Sequence, residues 1–358
     1  MISCPICDTV ATVQDRFCEA CGAVLDAKAQ LRVEDPPTRP TGGERRRNCR
    51  CPPNDADPDE NGFCRACGFR MPAQKPDEPS VEMAIDINLA AISDRGRRYR
   101  RGNMSNQDAA LAARLPDSTA VLAVADGVSS SNGAGRAAAT ALTALYYVLQ
   151  SSDESEPPAT SMRRAIAAAQ AAVVNVKVAH PDPNKDPPET TIVAALVRDG
   201  TATIGWVGDS RAYLVVGKNG KMLTRDDSWL AETVLAGTMT LEKAQADRRA
   251  HSITQCLGMT DGEIVIHIEQ VAVKPGSWLV LCTDGLWNYL SEGPRLAGAI
   301  AELPAETDAM TRCRRLALIA DESGGHDNIS VAMLKIVSVE ARPGAIWRKR
   351  HQAPAKPR

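Results

Sequence analysis

The stretch VLAVADG, residues 121–127, is an apolar run that ends in an aspartate and a glycine. The pattern recurs in WLVLCTDG at 278–285, and GGHDNISVAML at 324–334 places Asp327 just before a third apolar run. Runs of this length are typical of buried strands, so each carboxylate should emerge where a strand meets solvent. Such carboxylates would repel one another unless a cation lay among them, and all-oxygen ligands favour Mg²⁺ or Mn²⁺ over zinc. The sequence therefore predicts metal-assisted chemistry.

The chain has 358 residues, 44% of them hydrophobic, which suffices for one large domain with small appendages. Its net charge of -2 gives the body of the protein no electrostatic reason to bind nucleic acid. No apolar run approaches the roughly 18 residues of a membrane span. The N-terminus MISCPICDTV lacks the layout of a signal peptide. We therefore expect a cytoplasmic protein without a membrane span.

The cysteines are concentrated near the N-terminus. Eight of the eleven form two tetrads with the spacing of zinc ligands, namely Cys4, Cys7, Cys18 and Cys21, then Cys49, Cys51, Cys64 and Cys67. Four thiolates in each tetrad predict two structural Zn²⁺ ions in two zinc ribbons. Disulfides or unrelated free thiols are the alternative, which the repeated tetrad and the cytoplasmic expectation disfavour. Cys256, Cys282 and Cys313 stand apart in apolar surroundings and are expected to be buried as small hydrophobic residues.

Composition divides the chain into six segments. We expect a zinc ribbon at 1–25, a proline-rich linker at 26–47, a second zinc ribbon at 48–71, a second linker at 72–80, a large domain at 81–340 and a basic, disordered tail at 341–358.

The large domain mixes strand and helix patterns. Apolar and polar residues alternate from Met83 to Leu89, which predicts a half-buried first strand. Further strands are predicted at 119–125, 191–197, 202–207, 212–216, 263–273, 278–282 and 329–337, helices at 134–150, 161–178 and 310–320, and loops at 151–158 and 180–188. Because strands do not alternate strictly with helices, an α+β antiparallel sandwich with helices outside is favoured over a doubly wound parallel sheet.

Seven short motifs follow one another in this domain. They are Ser93-Asp94-Arg95-Gly96, Asn106-Gln107-Asp108, Ala125-Asp126-Gly127, Glu189-Thr190-Thr191, Val207-Gly208-Asp209-Ser210-Arg211, Thr283-Asp284-Gly285 and Gly325-His326-Asp327-Asn328. Each is common by itself, but seven in order are highly specific. Over residues 83–339 the set resembles the bacterial branch of the metal-dependent serine/threonine protein phosphatases of type 2C. The resemblance implies a four-layer αββα sandwich, in which two central antiparallel sheets are flanked by helices.

The resemblance also implies a set of metal ligands. By resemblance, Asp126 bridges two Mg²⁺ or Mn²⁺ ions, the carbonyl of Gly127 completes one shell, and Asp108, Asp284 and Asp327 bind the second ion. Two dications about 4 Å apart lower the pKa of a shared water and stabilise charge on a phosphoryl group during in-line displacement. No protein nucleophile is then required for hydrolysis of phosphoserine or phosphothreonine.

Other positions are less well defined by the resemblance. Asp209 would contribute to a third metal site, and it could equally form an Asx turn. The family's phosphate-binding arginine has four candidates here, Arg97, Arg98, Arg100 and Arg101, of which we prefer Arg101. The loop 128–132 differs from the usual Met-Gly-Gly-His. His251 is expected to be structural rather than catalytic.

Three hypotheses of function follow. The first is a phosphatase acting on phosphoproteins made by a serine/threonine kinase, with zinc ribbons that dock a partner or substrate. The second is a non-catalytic signalling scaffold, a pseudophosphatase, although a scaffold has no use for like charges clustered in a pocket. The third makes the ribbons a nucleic-acid reader, prompted by Arg45-Arg46-Arg47, but the ribbons hold too few aromatic residues for a stacking platform.

Overall fold

The computed structural model describes residues 2–3, 10–11, 80–102, 104–153 and 155–337. Near the N-terminus, β1 (Ile2–Ser3) pairs antiparallel with β2 (Val10–Ala11). The eight predicted zinc ligands, both linkers up to residue 79 and the basic tail lie outside the described residues, so the zinc ribbons stay predictions. Among the described residues, 80–98 and those from 106 to 337 form one compact unit.

The strands of the large domain form two antiparallel sheets. They are β3 (Val81–Asp86), β4 (Leu89–Asp94), β5 (Ala109–Arg114), β6 (Ala120–Ala125), β7 (Ile192–Arg198), β8 (Thr201–Val207), β9 (Arg211–Val216), β10 (Asn219–Met222), β11 (His267–Ala272), β12 (Trp278–Cys282) and β13 (Ile329–Lys335). Sheet A has the order β10-β9-β12-β13-β4-β3, and sheet B has the order β11-β8-β7-β6-β5. Every pairing is antiparallel.

Helices lie between these strands in the chain. They are α1 (Gly96–Gly102), α2 (Ala134–Gln150), α3 (Pro158–Val174), α4 (Trp229–Leu235), α5 (Leu241–Gln245), α6 (Asp284–Trp287), α7 (Gly293–Ala301) and α8 (Ala309–Glu322). None of the helices in the described part of the chain is both long and apolar enough to cross a bilayer.

Alternation along the strands explains the layering of the domain. In β6, Leu122 and Val124 pack toward residues of sheet A, whereas Val121 and Ala123 pack on the other side against α2 and α3. Neighbouring side chains of a strand point to opposite faces, so one fully buried strand serves two cores. Sheet A is likewise covered on its outer face by α7 and α8. The predicted antiparallel αββα sandwich is confirmed.

Small residues set the thickness of the helix layer over sheet B. Ala138 and Ala141 of α2 and Ala165 and Ala169 of α3 are fully buried. Alanine adds no bulk beyond Cβ, which lets two helices approach each other and the sheet closely. The predicted α2 has the observed bounds, while α3 begins earlier than predicted, at Pro158, because proline is well suited to the first turn of a helix.

The first predicted strand is wrong in its extent. The chain turns at Ile87 and Asn88, where Asp86 Oδ1 accepts the backbone N–H of Asn88 at 2.7 Å, and a new strand starts at Leu89. Ile87 is 61% exposed although the alternating pattern placed it on the buried face. The Asp86 side chain accepts the hydrogen bond that a backbone carbonyl accepts in an ordinary turn, which makes this an Asx turn. The Asx turn ends the strand, although the alternation of apolar and polar residues continues through it.

Several elements were missed from the sequence. The strand β5 is AALAAR, and alanine has a weak preference for strands, so its alternation carried no clear signal. The strand β10 is a polar edge of four residues, and α4 to α7 are short. Cys256, Cys282 and Cys313 are buried and unpaired, as predicted.

The packing between the sheets yields a stability prediction. Leu122 is fully buried, so Leu122→Ala should lower the free energy of unfolding by about 3 kcal/mol through lost transfer energy and a residual cavity. Denaturant unfolding of the two proteins measures the difference. Leu235→Ala is the matched control, because Leu235 is 68% exposed and its truncation should change stability by less than about 0.5 kcal/mol. Equal losses in the two variants would contradict the assignment of the core.

Candidate active site

The predicted carboxylates lie at strand ends. Asp126 follows β6, Asp284 begins α6 just after β12, and Asp327 lies just before β13. Asp108 precedes β5, and Asp209 lies in the turn between β8 and β9. Because β6 is interior to sheet B while β12 and β13 are neighbours in sheet A, these residues come from both halves of the sandwich. Asp126, Asp284 and Asp327 therefore lie at the ends of interior strands, whereas Asp108 precedes the edge strand β5.

These side chains share one cavity. Asp126, Asp209, Asp284 and Asp327 are half-buried and line a cavity of ≈ 580 Å³. Asp108 is only 9% exposed and is not among the cavity-lining residues. Burial, followed by repulsion from Asp327 and Asp284, raises the pKa of Asp108, so it lies within electrostatic reach of the same group.

The peptide of Asp126 is held by two threonines. Its N–H donates to Thr191 Oγ1 at 3.1 Å, and its carbonyl accepts from Thr190 Oγ1 and from the Thr191 N–H, both at 2.8 Å. The following Gly127 is tightly enclosed, since a Cβ there would come within 2.5 Å of the carbonyl oxygens of Ala134 and Gln107. Packing thus requires a glycine after Asp126, and the Thr-Thr step of the fourth motif positions the Asp126 peptide.

Asp108 is joined to sheet A by a chain of hydroxyl groups. Its Oδ2 accepts from Thr283 Oγ1 at 2.8 Å, and Thr283 lies directly before Asp284. Thr283 Oγ1 in turn accepts the backbone N–H of Ser330 at 3.1 Å, and the hydroxyls of Ser330 and Ser93 are 2.8 Å apart. Buried polar groups of this kind are costly unless each finds a partner, so the network restrains all four segments.

Asn328 organises the loop that carries Asp327. Its backbone N–H donates to Asp327 Oδ1 at 2.8 Å, and its Nδ2 donates to the carbonyl of Arg95 at 2.9 Å. Its Oδ1 accepts the N–H of Gln107 at 2.7 Å. The Asn328 side chain therefore joins the loop that carries Asp327 to the segments of Arg95 and Gln107.

The carboxylates perturb one another's ionisation. Burial, then repulsion from Asp327, raises the pKa of Asp108 well above its usual range, and burial followed by repulsion from Asp108 does the same for Asp126. Burial and the nearby Asp327 raise the pKa of Asp284 to about 6. Burial and Asp284 raise the pKa of Asp209 to about 8. Taking several like charges out of water disfavours the ionised forms.

Within the described residues, no three histidine, cysteine, aspartate or glutamate side chains are arranged to hold a metal ion as they stand. Arg101, the preferred phosphate-binding candidate, lies in the last turn of α1 with an exposed side chain, and its role stays a prediction.

One wall of the cavity was missed from the sequence. Asp186, in the predicted loop 180–188, and Asp261 line it. His251 lines the same cavity, and its structural rather than catalytic role stays a prediction. Asn132 holds the loop, because its Nδ2 donates to the carbonyls of Asp182, Lys185 and Asp186 at 3.0 to 3.2 Å. The unusual loop 128–132 was the available signal, but nothing in the sequence pointed to Asp261.

Comparison with known proteins gives three likenesses of different extent. The chain is 32% identical over 152 residues to the protein phosphatase PhpP of Streptococcus pneumoniae, which covers 42% of this chain and 60% of that protein. It is 29% identical over 261 residues to the serine/threonine protein phosphatase PstP of Mycobacterium tuberculosis, 73% of this chain and 47% of PstP. A structure of the PstP catalytic domain in complex with two manganese ions is similar with a TM-score of 0.54 and 26% identity, over 73% of this chain and 100% of that one.

These matches limit what can be carried over. The chain spans less than two thirds of the length of either relative. The model of the family named protein phosphatase 2C nevertheless matches residues 95–317, which is more than half of the chain. On this match, together with the αββα sandwich and the shared cavity of carboxylates, the chain belongs to the protein phosphatase 2C family.

Proposed function

We propose that this protein is a metal-dependent phosphatase that hydrolyses phosphoserine and phosphothreonine in proteins. The observation that carries the proposal is the group of acidic side chains from both sheets that line a single cavity. The names of PhpP and PstP support the reaction class. Phosphoproteins made by a serine/threonine kinase are the proposed substrates, and the predicted zinc ribbons are proposed to dock a partner or substrate.

The residues present fit divalent cations of the hard type. Oδ1 of Asp284 is buried and has no hydrogen-bond partner among the described residues, and the donor set consists of carboxylate oxygens. Oxygen-only sites suit Mg²⁺ or Mn²⁺. We assign Asp108, Asp126, Asp284 and Asp327, with the carbonyl of Gly127, to two ions. Asp209 is proposed for a third ion, and the two manganese ions of the PstP structure support the choice of metal.

The chemistry of the cavity argues for water as the nucleophile. When bound, divalent cations lower the pKa of water and stabilise the charge of a phosphoryl group in flight. Cys256 is the one cysteine among the described residues that line the cavity, and burial together with Glu189 raises its pKa, which keeps the thiol protonated. A protonated thiol is a poor nucleophile. The chain's own part is therefore to hold the carboxylates and to orient the substrate.

The first prediction tests catalysis. Asp126→Asn should lower the Mn²⁺-dependent hydrolysis of p-nitrophenyl phosphate by at least about 100-fold, because it removes the proposed bridging ligand. Initial rates at saturating Mn²⁺ measure the loss. Asp199→Asn is the matched control, since it removes the same charge from an exposed turn with φ 49°, a conformation that asparagine tolerates, and should keep full activity. Well-folded but inactive wild-type protein would instead favour the scaffold hypothesis.

A second prediction separates the two classes of metal. Thiolate tetrads hold zinc far more tightly than carboxylates hold Mn²⁺, so mild EDTA treatment should abolish activity while two zinc ions per chain remain. Elemental analysis follows the zinc, and added Mn²⁺ should restore the activity. Loss of zinc in parallel with activity would refute the separate zinc ribbons.

A third prediction concerns pH. The folded pKa values of Asp284 and Asp209 lie above those of the unfolded chain, so the metal-free protein binds more protons when folded. Stability from these groups is full below the unfolded pKa and is lost as pH rises through about 6 to 8. The melting temperature of the metal-free protein should fall by about 3 °C or more from pH 5 to pH 8.

Calorimetry at both pH values, with and without Mn²⁺, checks this expectation. Mn²⁺ should offset the fall by binding the ionised carboxylates. Asp126→Asn should show a smaller fall, because the raised pKa of the Asp126 carboxyl no longer contributes. A melting temperature that rises steadily to pH 8 without metal would show that the carboxylates do not repel one another.

A further inference from the structure

A buried acidic residue outside the proposed ligands lies close to the cavity. Asp227 is 5% exposed and is not among the residues that line the cavity. Its Oδ2 accepts the N–H of Gly208 at 2.9 Å, and its Oδ1 lies 2.8 Å from His267 Nε2. Arg211 is paired through two hydrogen bonds with Asp226, whereas the side chain that contacts Asp227 is His267. Each oxygen of the Asp227 carboxylate therefore joins it to a different segment of the chain.

His267 is held in a defined orientation by an aromatic neighbour. It is the first residue of β11, and its ring stacks on Trp206 with centroids 4.9 Å apart and an interplanar angle of 22°. A carboxylate oxygen only accepts hydrogen bonds, so the geometry assigns the hydrogen to Nε2. Gln255 Nε2 is 3.2 Å from the same ring nitrogen and donates instead to the carbonyl of Val265. The ring therefore abuts Gln255, which lines the cavity.

The pair lies where three segments meet. Gly208 precedes Asp209, and its φ of 102° is a conformation that favours glycine. The backbone N–H of Asp227 donates to the carbonyl of Gly208 at 3.0 Å, and the carbonyl of Asp227 accepts the N–H of Thr254 at 2.9 Å. Thr254 lies within the wall segment 251–256, whose other residues line the cavity. Asp227 thus bonds directly to the turn that carries Asp209, to β11 and to that wall.

We propose that Asp227 and His267 are positioning residues that hold the Asp209 turn against the wall 251–256 of the catalytic cavity. The inference rests on the proposed function for its kinetic consequence, but its geometric content stands on the contacts alone. Without the His267 donor, Oδ1 of Asp227 would be a buried carboxylate oxygen without a hydrogen-bond partner. The segments that Asp227 joins would then separate so that water could reach this oxygen. A wider cavity would engage the substrate more weakly and leave the reacting groups on the central strands in place.

Two substitutions of one residue separate the hydrogen bond from the stacking. His267→Phe keeps a flat ring over Trp206 and removes the donor, whereas His267→Gln keeps an amide donor and removes the ring. We expect His267→Phe to raise KM for a phosphothreonine peptide about 10-fold with less than about a 3-fold change in kcat, a split that indicates lost substrate binding rather than lost chemistry. His267→Gln should stay within about 3-fold of wild type in both constants.

Gln270→Met is the control for general loosening of the same strand. Gln270 lies on β11 and donates to Thr203 Oγ1 at 3.0 Å, away from the cavity. Its loss should reduce stability slightly and leave KM unchanged. Equal kinetics for His267→Phe and His267→Gln, or a lower melting temperature with no change in KM, would overturn the proposal.

Hydrogen exchange gives a readout that does not depend on turnover. Peptides covering 205–210 and 252–257 should exchange several-fold faster in His267→Phe than in wild type, because the amides of Gly208 and Thr254 bond to Asp227. Faster exchange in an enzyme that proves inactive would support the cross-link and refute only the phosphatase. Unchanged exchange in both peptides would refute the cross-link whatever the activity.

Discussion

Repulsion among buried carboxylates is the constraint on which the rest of this structure depends. Asp108, Asp126 and Asp284 are brought together by two different sheets, and burial raises the pKa of each. Such a group costs free energy unless protons or cations neutralise it. A fold with central strands fully packed on both faces can bear that cost, because the strands supply apolar burial on each side of the acidic group. The carboxylates proposed for function therefore lower the stability of the fold at these strand ends.

Where the carboxylates meet the two sheets, neutral hydrogen-bond donors hold them in place despite this repulsion. Thr283 bonds Asp108, the Thr190 and Thr191 pair holds the peptide of Asp126, and Asn328 supports Asp327. None of these groups adds a positive charge that would compete with a metal ion. These donors therefore orient the carboxylates without adding a charge of their own.

Around the turn that carries Asp209, aspartates hold the chain through one ion pair and several hydrogen bonds instead. Adjacent aspartates face two different partners, since Asp226 binds Arg211 while Asp227 binds His267 and Gly208. The guanidinium of Arg211 also lies 3.7 Å from the centre of the Trp287 ring. Trp287 is the last residue of α6, the helix that begins with Asp284. One short stretch of chain therefore connects the turn of Asp209, the end of sheet B and the helix of Asp284. The charged groups of this stretch stabilise the fold, whereas the carboxylates that line the cavity are the proposed metal ligands.

The sequence by itself determined the strands that precede Asp126 and Asp284 and the long helix α2, because long apolar runs are local signals. The ordered motifs determined the αββα class. It did not show the turn at Asp86, the alanine strand β5 or the wall formed by Asp186 and Asp261. Those features depend on side-chain hydrogen bonds and on contacts between residues far apart in the chain. Only the tertiary structure decided that His267 meets Asp227, since two residues separated by forty positions carry no joint pattern until β11 folds against β8.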